Sequence, residues 1–211
     1  MSTATERTPG AEPAPAPAPS KGERTRLALL DHAIRRFAAD GFRATSLADI
    51  ARDANVTPAA AYVYFANKEA LFTEAVDVDT ARLLTDALTP TLNGSFDGDW
   101  RAILSSLLDG LERHRLARRL LQGLEPDFTE RMLDMPALAD LRAGLAALLA
   151  EGQTTGEVRT DIDPDVMAMG LEMTVMAVLI AALQTGIGPE GDRMNGVVAV
   201  LDAAITPPPD H

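Results

Sequence analysis

Apolar residues recur every three or four positions over most of this chain. The stripe formed by Leu27, Leu30, Ile34 and Phe37 is a clear case. Such spacing places side chains on one face of an amphipathic helix. Alanine and leucine dominate, β-branched runs are few, and no segment has a convincing strand pattern. The pattern therefore predicts an all-α protein of about nine helices.

Turn and capping residues divide the first part of the chain into four helices. Asp40-Gly41 ends the first helix, because Gly tolerates the left-handed conformation found after helix ends. Ser46 and Asp49 have capping-box spacing, Thr57 precedes Pro58 at a helix start, and Asn67 caps the next helix. The predicted helices span about residues 21–40, 46–54, 58–64 and 68–88.

The rest of the chain predicts longer helices in a larger bundle. Helical patterns resume near Trp100, bend at Glu125-Pro126, restart at Pro136 and end near Gly152. A break at residues 89–98 precedes these helices. A loop at 156–161 separates them from two further helices, at about residues 164–185 and 189–205.

Residues 163–185 are apolar nearly all round, and the stretch from Val166 to Leu183 is long enough to raise the possibility of a membrane span. Glu172 within the segment favours instead a buried helix of a soluble protein, with no membrane partner. A second apolar face with small residues covers 194–205. We expect these two helices to pair with their copies in a four-helix bundle and form a homodimer. The alternative is a monomer that buries both faces internally.

Composition and charge suggest four segments. Residues 1–20 alternate Ala and Pro, which predicts a disordered arm that is either a tail for DNA or a partner, or a solvated leader. Residues 21–68 hold eight basic and five acidic residues, whereas residues 69–211 hold ten basic and twenty-four acidic ones. A mildly basic head (21–68) can therefore face phosphates although the net charge of the chain is −12. An acidic body (69–206) and a short tail (207–211) follow.

Enzymatic and metal chemistry find no support in the sequence. The chain has no cysteine, and its three histidines lie far apart, without partners at metal-ligand spacing. No Ser-His-Asp order or Gly-rich phosphate loop is present. We therefore expect no catalytic residues, no metal and no cofactor. A protein that uses its head for protein contacts remains an alternative.

The segment from Thr45 to Phe72 carries the most specific signal. Two short capped helices are joined by a tight turn, and a third helix follows. Apolar and small residues are spaced to form a shared core: Ile50, Ala51, Val56, Ala61 and Phe65. This arrangement is typical of a helix-turn-helix, whose second helix enters the major groove of DNA.

The same segment resembles the DNA-binding head of TetR-family transcriptional regulators. The resemblance covers about residues 24–74 and includes Phe37, Gly41-Phe42, Thr45-Ser46, Ile50-Ala51, Val56-Thr57, Tyr62-x-Tyr64-Phe65 and Lys68. It implies a cytoplasmic, nucleoid-associated regulator, by family default a repressor, that binds a palindromic double-stranded operator as a dimer. It also implies release by a small, largely apolar molecule. An activator or a ligand-independent regulator of the same fold is the alternative.

Several head residues are candidates for DNA contact. Thr57 begins the recognition helix, where free N–H groups favour a phosphate. Other backbone contacts are expected from Arg43, Thr45, Ser46, Tyr62, Tyr64 and Lys68, although Tyr62 could instead pack the head core. The recognition helix also presents Ala59, Ala60 and Val63, without the Arg, Asn or Gln that read base edges. Methyl contacts to thymine, a contribution from Arg52 or Arg43, or shape readout are the alternatives.

In TetR-family proteins the body binds the ligand, and polar or adaptable residues of the body are candidates here. Glu172 in an apolar stretch could anchor a polar group of the ligand, face the dimer seam or reach solvent. Methionine adapts to irregular apolar shapes. The other candidates are Trp100, Leu104, Leu107, Leu111, His114, Met132, Leu145, Met173 and Met176. Such a stripe can equally be ordinary core.

Overall fold

A computed structural model describes residues 20–92 and 99–208 of the chain. This part forms nine α-helices and one 3-10 segment and contains no strand, which confirms the all-α prediction. The predicted arm, except Ser20, and the last three residues of the tail lie outside the described residues, as do residues 93–98 of the predicted break. The elements are α1 (Lys21–Ala44), α2 (Leu47–Asp53), α3 (Pro58–Tyr64), α4 (Lys68–Leu92), α5 (Trp100–Arg113), α6 (Arg115–Leu121), the 3-10 segment (Pro126–Asp134), α7 (Pro136–Thr155), α8 (Pro164–Thr185) and α9 (Asp192–Ile205).

Side-chain caps start the short helices where the sequence predicts them. The Ser46 hydroxyl accepts from the Asp49 N–H at 3.1 Å, and the Thr57 hydroxyl accepts from the Ala60 N–H at 3.2 Å. The Asn67 side chain accepts from the N–H of Ala70 at 2.7 Å. Each cap satisfies a donor that the first helical turn leaves without a partner. The head is therefore built largely from local signals.

Helix ends differ from the prediction at two places, in α4 and α7. In α1 the regular helix breaks at Gly41 as predicted, because the backbone there is not helical, and one further turn follows the kink and ends at Ala44. Gly41 has φ 80° and ψ 169°, a conformation that is essentially restricted to glycine. Helix α4 continues past Leu88 to Leu92, and α7 continues past Gly152 to Thr155. The α7 stop is Gly156, at φ 81°, whereas Gly152 lets the Val158 side chain approach the helix.

Two apolar cores hold the molecule together. The first core contains residues of the head helices, of the start of α4, of helix α6 and of the 3-10 segment, and it extends to α7 and α8. The second lies within the body, between α4, α5, α7, α8 and α9. Because the first core includes Phe37 and Ile50 of the head together with Leu120 and Met132 of the body, head and body share one interior.

Helix α8 is the one described helix that is long and apolar enough to cross a membrane, by length and composition alone. It packs against α7, α5, α6 and α9. Its buried residues include Met167, Leu171, Glu172 and Leu179. Core helices of folded domains have the same composition, and these contacts bury one side of α8 in the body, although only 39% of its apolar window is buried.

Candidate DNA interface and body cavity

Helices α2 and α3 form a tight helix-turn-helix. Asn55 takes a positive φ of 55° in the turn, where Asn is one of the few residues that tolerate it. The next residue, Val56, donates its N–H to the Ala51 carbonyl at 2.9 Å. Ile50, Ala51 and Ala61 are fully buried between the helices. Small residues at two of these three positions allow the close approach that the sequence predicts.

The outer face of α3 is open. Tyr62 is 58% exposed and Val63 is 80% exposed, and Thr57 and Ala59 are exposed as well, while Ala60 and Tyr64 are half-buried. The alternative that Tyr62 packs in the head core is therefore wrong. The exposed Val63 side chain is available for the predicted methyl contact to thymine, which stays a prediction.

Two predicted hydroxyl donors are already used within the head. Thr45 is buried, and its hydroxyl donates to the Gly41 carbonyl at 2.8 Å. The Ser46 hydroxyl donates to the Asp49 carboxylate at 2.6 Å while it caps α2. Thr45 therefore does not present a group to DNA in this structure, because its hydroxyl satisfies the carbonyl at the kink of α1.

The predicted cations also have internal partners. Arg43 forms an exposed ion pair with Asp127 at 2.9 Å. Lys68 donates to the Phe42 carbonyl at 2.9 Å and lies 4.2 Å from the centre of the Phe42 ring. An ammonium has three N–H donors, so Lys68 can hold this carbonyl and still approach a phosphate. Arg43 must leave or share its carboxylate partner to do so.

Arg52, an alternative for base reading, pairs with Asp49 at 2.7 Å. Hydrogen bonds from the Ser46 hydroxyl and from Arg52 hold the pKa of Asp49 below its ordinary value. Asp49 therefore remains ionised and offsets the charge of Arg52 within α2. This pairing does not favour a strong role for Arg52 in base reading.

A cavity of about 470 Å³ lies inside the body. Its size falls within the ordinary range of small-molecule sites, roughly 300–1,000 Å³. Its wall is almost entirely apolar and is built from α4, α5, α6, the 3-10 segment, α7 and α8. Of the residues that the sequence singles out, the wall includes Trp100, Leu107, Met132, Leu145, Glu172 and Met176.

Four predicted ligand residues do not line this cavity. Leu104 and Leu111 are fully buried in the packing of α5. Met173 is 45% exposed, because it lies on a different face of α8. His114 is held between two carboxylates, with Nδ1 3.0 Å from Asp79 and Nε2 3.2 Å from Asp86. These positions are corrections to the prediction, since helical spacing alone does not say which side of a helix meets a cavity.

Sequence reasoning missed the contribution of α7. Leu138, Leu141, Leu145 and Leu148 line the cavity from this helix, and only Leu145 was a candidate. Their three- and four-residue spacing was visible in the sequence as an apolar stripe. It could have identified the wall, although not that a cavity faces it.

A polar junction joins the wall of the cavity to the head. Glu125 accepts from the Arg119 guanidinium at 2.6 Å and from the Phe42 N–H at 3.1 Å. The Phe128 ring packs 4.8 Å from Phe42 and 4.2 Å from Phe72, centre to centre. Arg119 directly precedes Leu120 and Leu121, which line the cavity. These contacts connect the α6 wall of the cavity to Phe42, near the end of α1.

Known proteins are similar to this chain in sequence and in fold. Residues 29–75 match the model for "Bacterial regulatory proteins, tetR family". The HTH-type transcriptional regulator YdgC of Bacillus subtilis (strain 168) is 26% identical over 204 residues, which cover 89% of this chain and 96% of that protein. A TetR-family transcriptional regulator from Cytophaga hutchinsonii has a similar fold, with a TM-score of 0.63 at 21% identity over 89% of this chain and 96% of that one. The flavonoid-responsive regulator FrrA aligns with a TM-score of 0.57 at 24% identity, covering 86% of this chain and 93% of that one.

The matched region coincides with the helix-turn-helix formed by α2 and α3 and with the start of α4. Residues 29–75 therefore match the DNA-binding region of bacterial regulatory proteins of the TetR family, and the chain has the fold of TetR-family transcriptional regulators.

Proposed function

We propose that this regulator is a repressor that a small, largely apolar molecule releases from its operator. The observation that carries the proposal is the apolar cavity of about 470 Å³, whose α6 wall adjoins the junction with the head. A cavity of this kind is the default binding site for a small molecule. The fold neighbour FrrA is itself named as flavonoid-responsive, which supports a ligand response in this architecture.

The proposed signal passes from the cavity to the head through α6 and the 3-10 segment. A ligand against Leu120 and Leu121 acts on Arg119, and Arg119 holds Glu125, which in turn holds the Phe42 N–H. A ligand changes DNA affinity only if it binds one arrangement of the heads better than the other. Movement of Phe42 would tilt α1 and the helix-turn-helix relative to the body.

The DNA-facing surface is proposed to be the exposed face of α3 with its flanks. Tyr62 and Val63 lead this surface, and Thr57, Ala59, Ala60, Tyr64 and Lys68 complete it. Arg43 and Ser46 contribute after they leave or share their internal partners. Because the proposed partner is DNA, we place the action of the protein in the cytoplasm, at the nucleoid, as part of this proposal.

We further propose that two copies bind together through α8 and α9. Val166, Met169 and Met173 are 62%, 53% and 45% exposed at three- and four-residue spacing on α8, and Val200 is 66% exposed on α9. The described chain leaves this apolar face uncovered, which argues against a monomer that buries both helices internally. A two-fold axis at this face would give a palindromic operator two heads.

The test combines DNA footprinting with a ligand screen. The purified protein is expected to protect one short palindromic site among genomic fragments at low salt, and an apolar compound that enters the cavity is expected to abolish protection. The double variant V166E/M173E is expected to become monomeric in analytical ultracentrifugation and to lose the site. Glu151→Gln, an exposed change on α7, serves as the control. Absence of any specific site, or protection that no cavity-binding compound alters, would contradict the proposed repressor mechanism.

A further inference from the structure

Glu172 is the charged group most deeply placed in the cavity wall. Its side chain is 2% exposed, and the residue lies on α8 among apolar neighbours. Neither carboxylate oxygen accepts a hydrogen bond within the described chain. A buried carboxylate without hydrogen bonds is costly, because water has been removed and no donor has replaced it.

Arg142 of α7 only partly compensates for this burial. Its guanidinium lies 3.1 Å from Glu172 Oε2, close enough for an ion pair but without the angles of a hydrogen bond. About a third of the Arg142 side chain is exposed, and the residue is not part of the cavity wall. Burial raises the pKa of Glu172, and the charge of Arg142 opposes that shift. The cavity side of the carboxylate therefore keeps acceptor capacity for a donor.

The rest of the wall carries the same sign of charge. Among the described residues that line the cavity, the other charged side chain is Asp140, and no Lys, Arg or His is present. Asp140 is exposed, one turn before the exposed Gly144 that also lines the cavity. An added Cβ at Gly144 would meet no atom within 4 Å, which is consistent with an open mouth here. A negative mouth that leads to a negative interior favours a cation.

We propose that the ligand is an apolar molecule with a single protonated amine, and that the ammonium group donates to Glu172 inside the cavity. The proposal rests on the proposed ligand response of this same cavity and names the chemical class that it takes. The apolar wall would hold the hydrocarbon part, and the N–H groups would supply the donors that Glu172 lacks.

A molecule with a carboxylate head is the opposite choice. It would have to bring its charge beside Glu172 and Asp140 and reach Arg142, which does not line the wall. Like charges this close in a poorly solvated site disfavour binding. The two classes therefore predict opposite rankings for ligands of equal length.

The protein carries its own reporter for this test. Trp100 is the single tryptophan of the chain, is 3% exposed and lines the cavity. Occupation of the cavity is expected to change its fluorescence. The probes are decylammonium, decyltrimethylammonium, decanol and decanoate, which share one chain length and differ in charge and in N–H donors. Titrations use the full-length protein below the aggregation concentration of each probe.

Decylammonium is expected to bind about tenfold or more tightly than decanol, because a hydrogen bond to a charged group exceeds a neutral one. Decyltrimethylammonium, which keeps the charge but has no N–H, is expected to lie between them, and decanoate is expected to bind weakest. Glu172→Gln is expected to remove most of the preference for decylammonium over decanol, because the carboxamide has no negative charge. Glu151→Gln, an exposed carboxylate on α7, is the matched control and is expected to keep the preference.

Arg142→Met provides an independent test that leaves Glu172 in place. Removal of the opposing guanidinium is expected to increase the preference for decylammonium. Equal binding of all four probes, or an unchanged preference in Glu172→Gln, would overturn the amine proposal while the ligand response stands. Tighter binding of decanoate would overturn it in favour of Arg142. If no probe alters Trp100 emission or DNA protection, both the amine proposal and the proposed ligand response fail.

Discussion

The head and the body of this regulator differ in whether particular polar side chains have hydrogen-bond partners. In the head, the Thr45, Ser46 and Lys68 donors each have a partner a few residues away or on the adjoining helix. In the body, Glu172 is buried beside a cavity without a hydrogen bond. These polar side chains of the head are thus satisfied within the head, whereas the body retains a buried carboxylate without a hydrogen bond. A ligand that donates to Glu172 would gain a hydrogen bond without breaking one within the protein.

The ring cluster between head and body provides the strongest test of their shared core. Phe72 is fully buried and packs against Phe37 at 4.9 Å, Phe42 at 5.1 Å and Phe128 at 4.2 Å, centre to centre. Phe72→Ala is expected to lower the free energy of unfolding by about 3–5 kcal/mol. Urea unfolding followed by circular dichroism and by Trp100 fluorescence measures the change. Leu27→Ala, at a site 45% exposed, is the control. A loss below about 1 kcal/mol would mean that head and body do not share this core.

Gly41 tests the junction itself. Its conformation excludes other residues, and an added Cβ would meet the Arg119 guanidinium and come within 2.9 Å of Glu125. Gly41→Ala is expected to cost about 1–3 kcal/mol in unfolding experiments and to weaken the effect of cavity ligands on DNA binding. Gly144→Ala, in α7 with open space around it, is expected to be neutral or stabilising by about 0.4–1 kcal/mol. Equal stability of the two variants would contradict the structural role of Gly41.

Substitutions of Tyr62 test the proposed DNA-facing surface of α3. Tyr62→Phe is expected to weaken operator binding by about 1 kcal/mol, roughly fivefold, if its hydroxyl contacts a phosphate. Because the side chain is 58% exposed, stability should not change. Fluorescence anisotropy with a labelled operator measures the affinity. Tyr62→Ala separates the ring from the hydroxyl: identical loss in both variants assigns the effect to the hydroxyl alone, and no loss in either removes Tyr62 from the interface.

The smallest expected effect is the pH dependence that Glu172 introduces. Burial raises its pKa above the ordinary value of 4.5, and Arg142 opposes the shift. The folded state then binds a proton more tightly than the unfolded state, so this contribution to stability is complete below pH 4.5 and is lost as pH rises through the folded pKa. Urea midpoints are expected to fall with rising pH more in the wild type than in Glu172→Gln. Glu151→Gln should follow the wild type, and parallel curves for all three would contradict the raised pKa.

The head could be predicted almost completely from the sequence because its signals are local. Thr57 with Pro58, Ser46 with Asp49 and Asn67 each cap a helix within three or four residues of themselves. The small residues Ala51 and Ala61 mark the helix crossing. Interactions at such short separations do not depend on where distant elements lie. Errors in the head were confined to groups such as Thr45, whose partner follows from the kink at Gly41.

The body could be predicted as helices but not as a site. Periodicity identified α5, α7 and α8, yet Leu104 and Leu107 lie one turn apart and only Leu107 reaches the cavity. Likewise, Glu172 and Met173 are adjacent on α8, yet Glu172 is buried at the cavity and Met173 is 45% exposed on a different face of the helix. Sequence alone determined that these segments are amphipathic or wholly apolar helices. Only the packing of six separate elements decided which helix faces line the cavity. A cavity forms where side chains of different elements do not fill the space between them, and this depends on residues that lie far apart in the sequence.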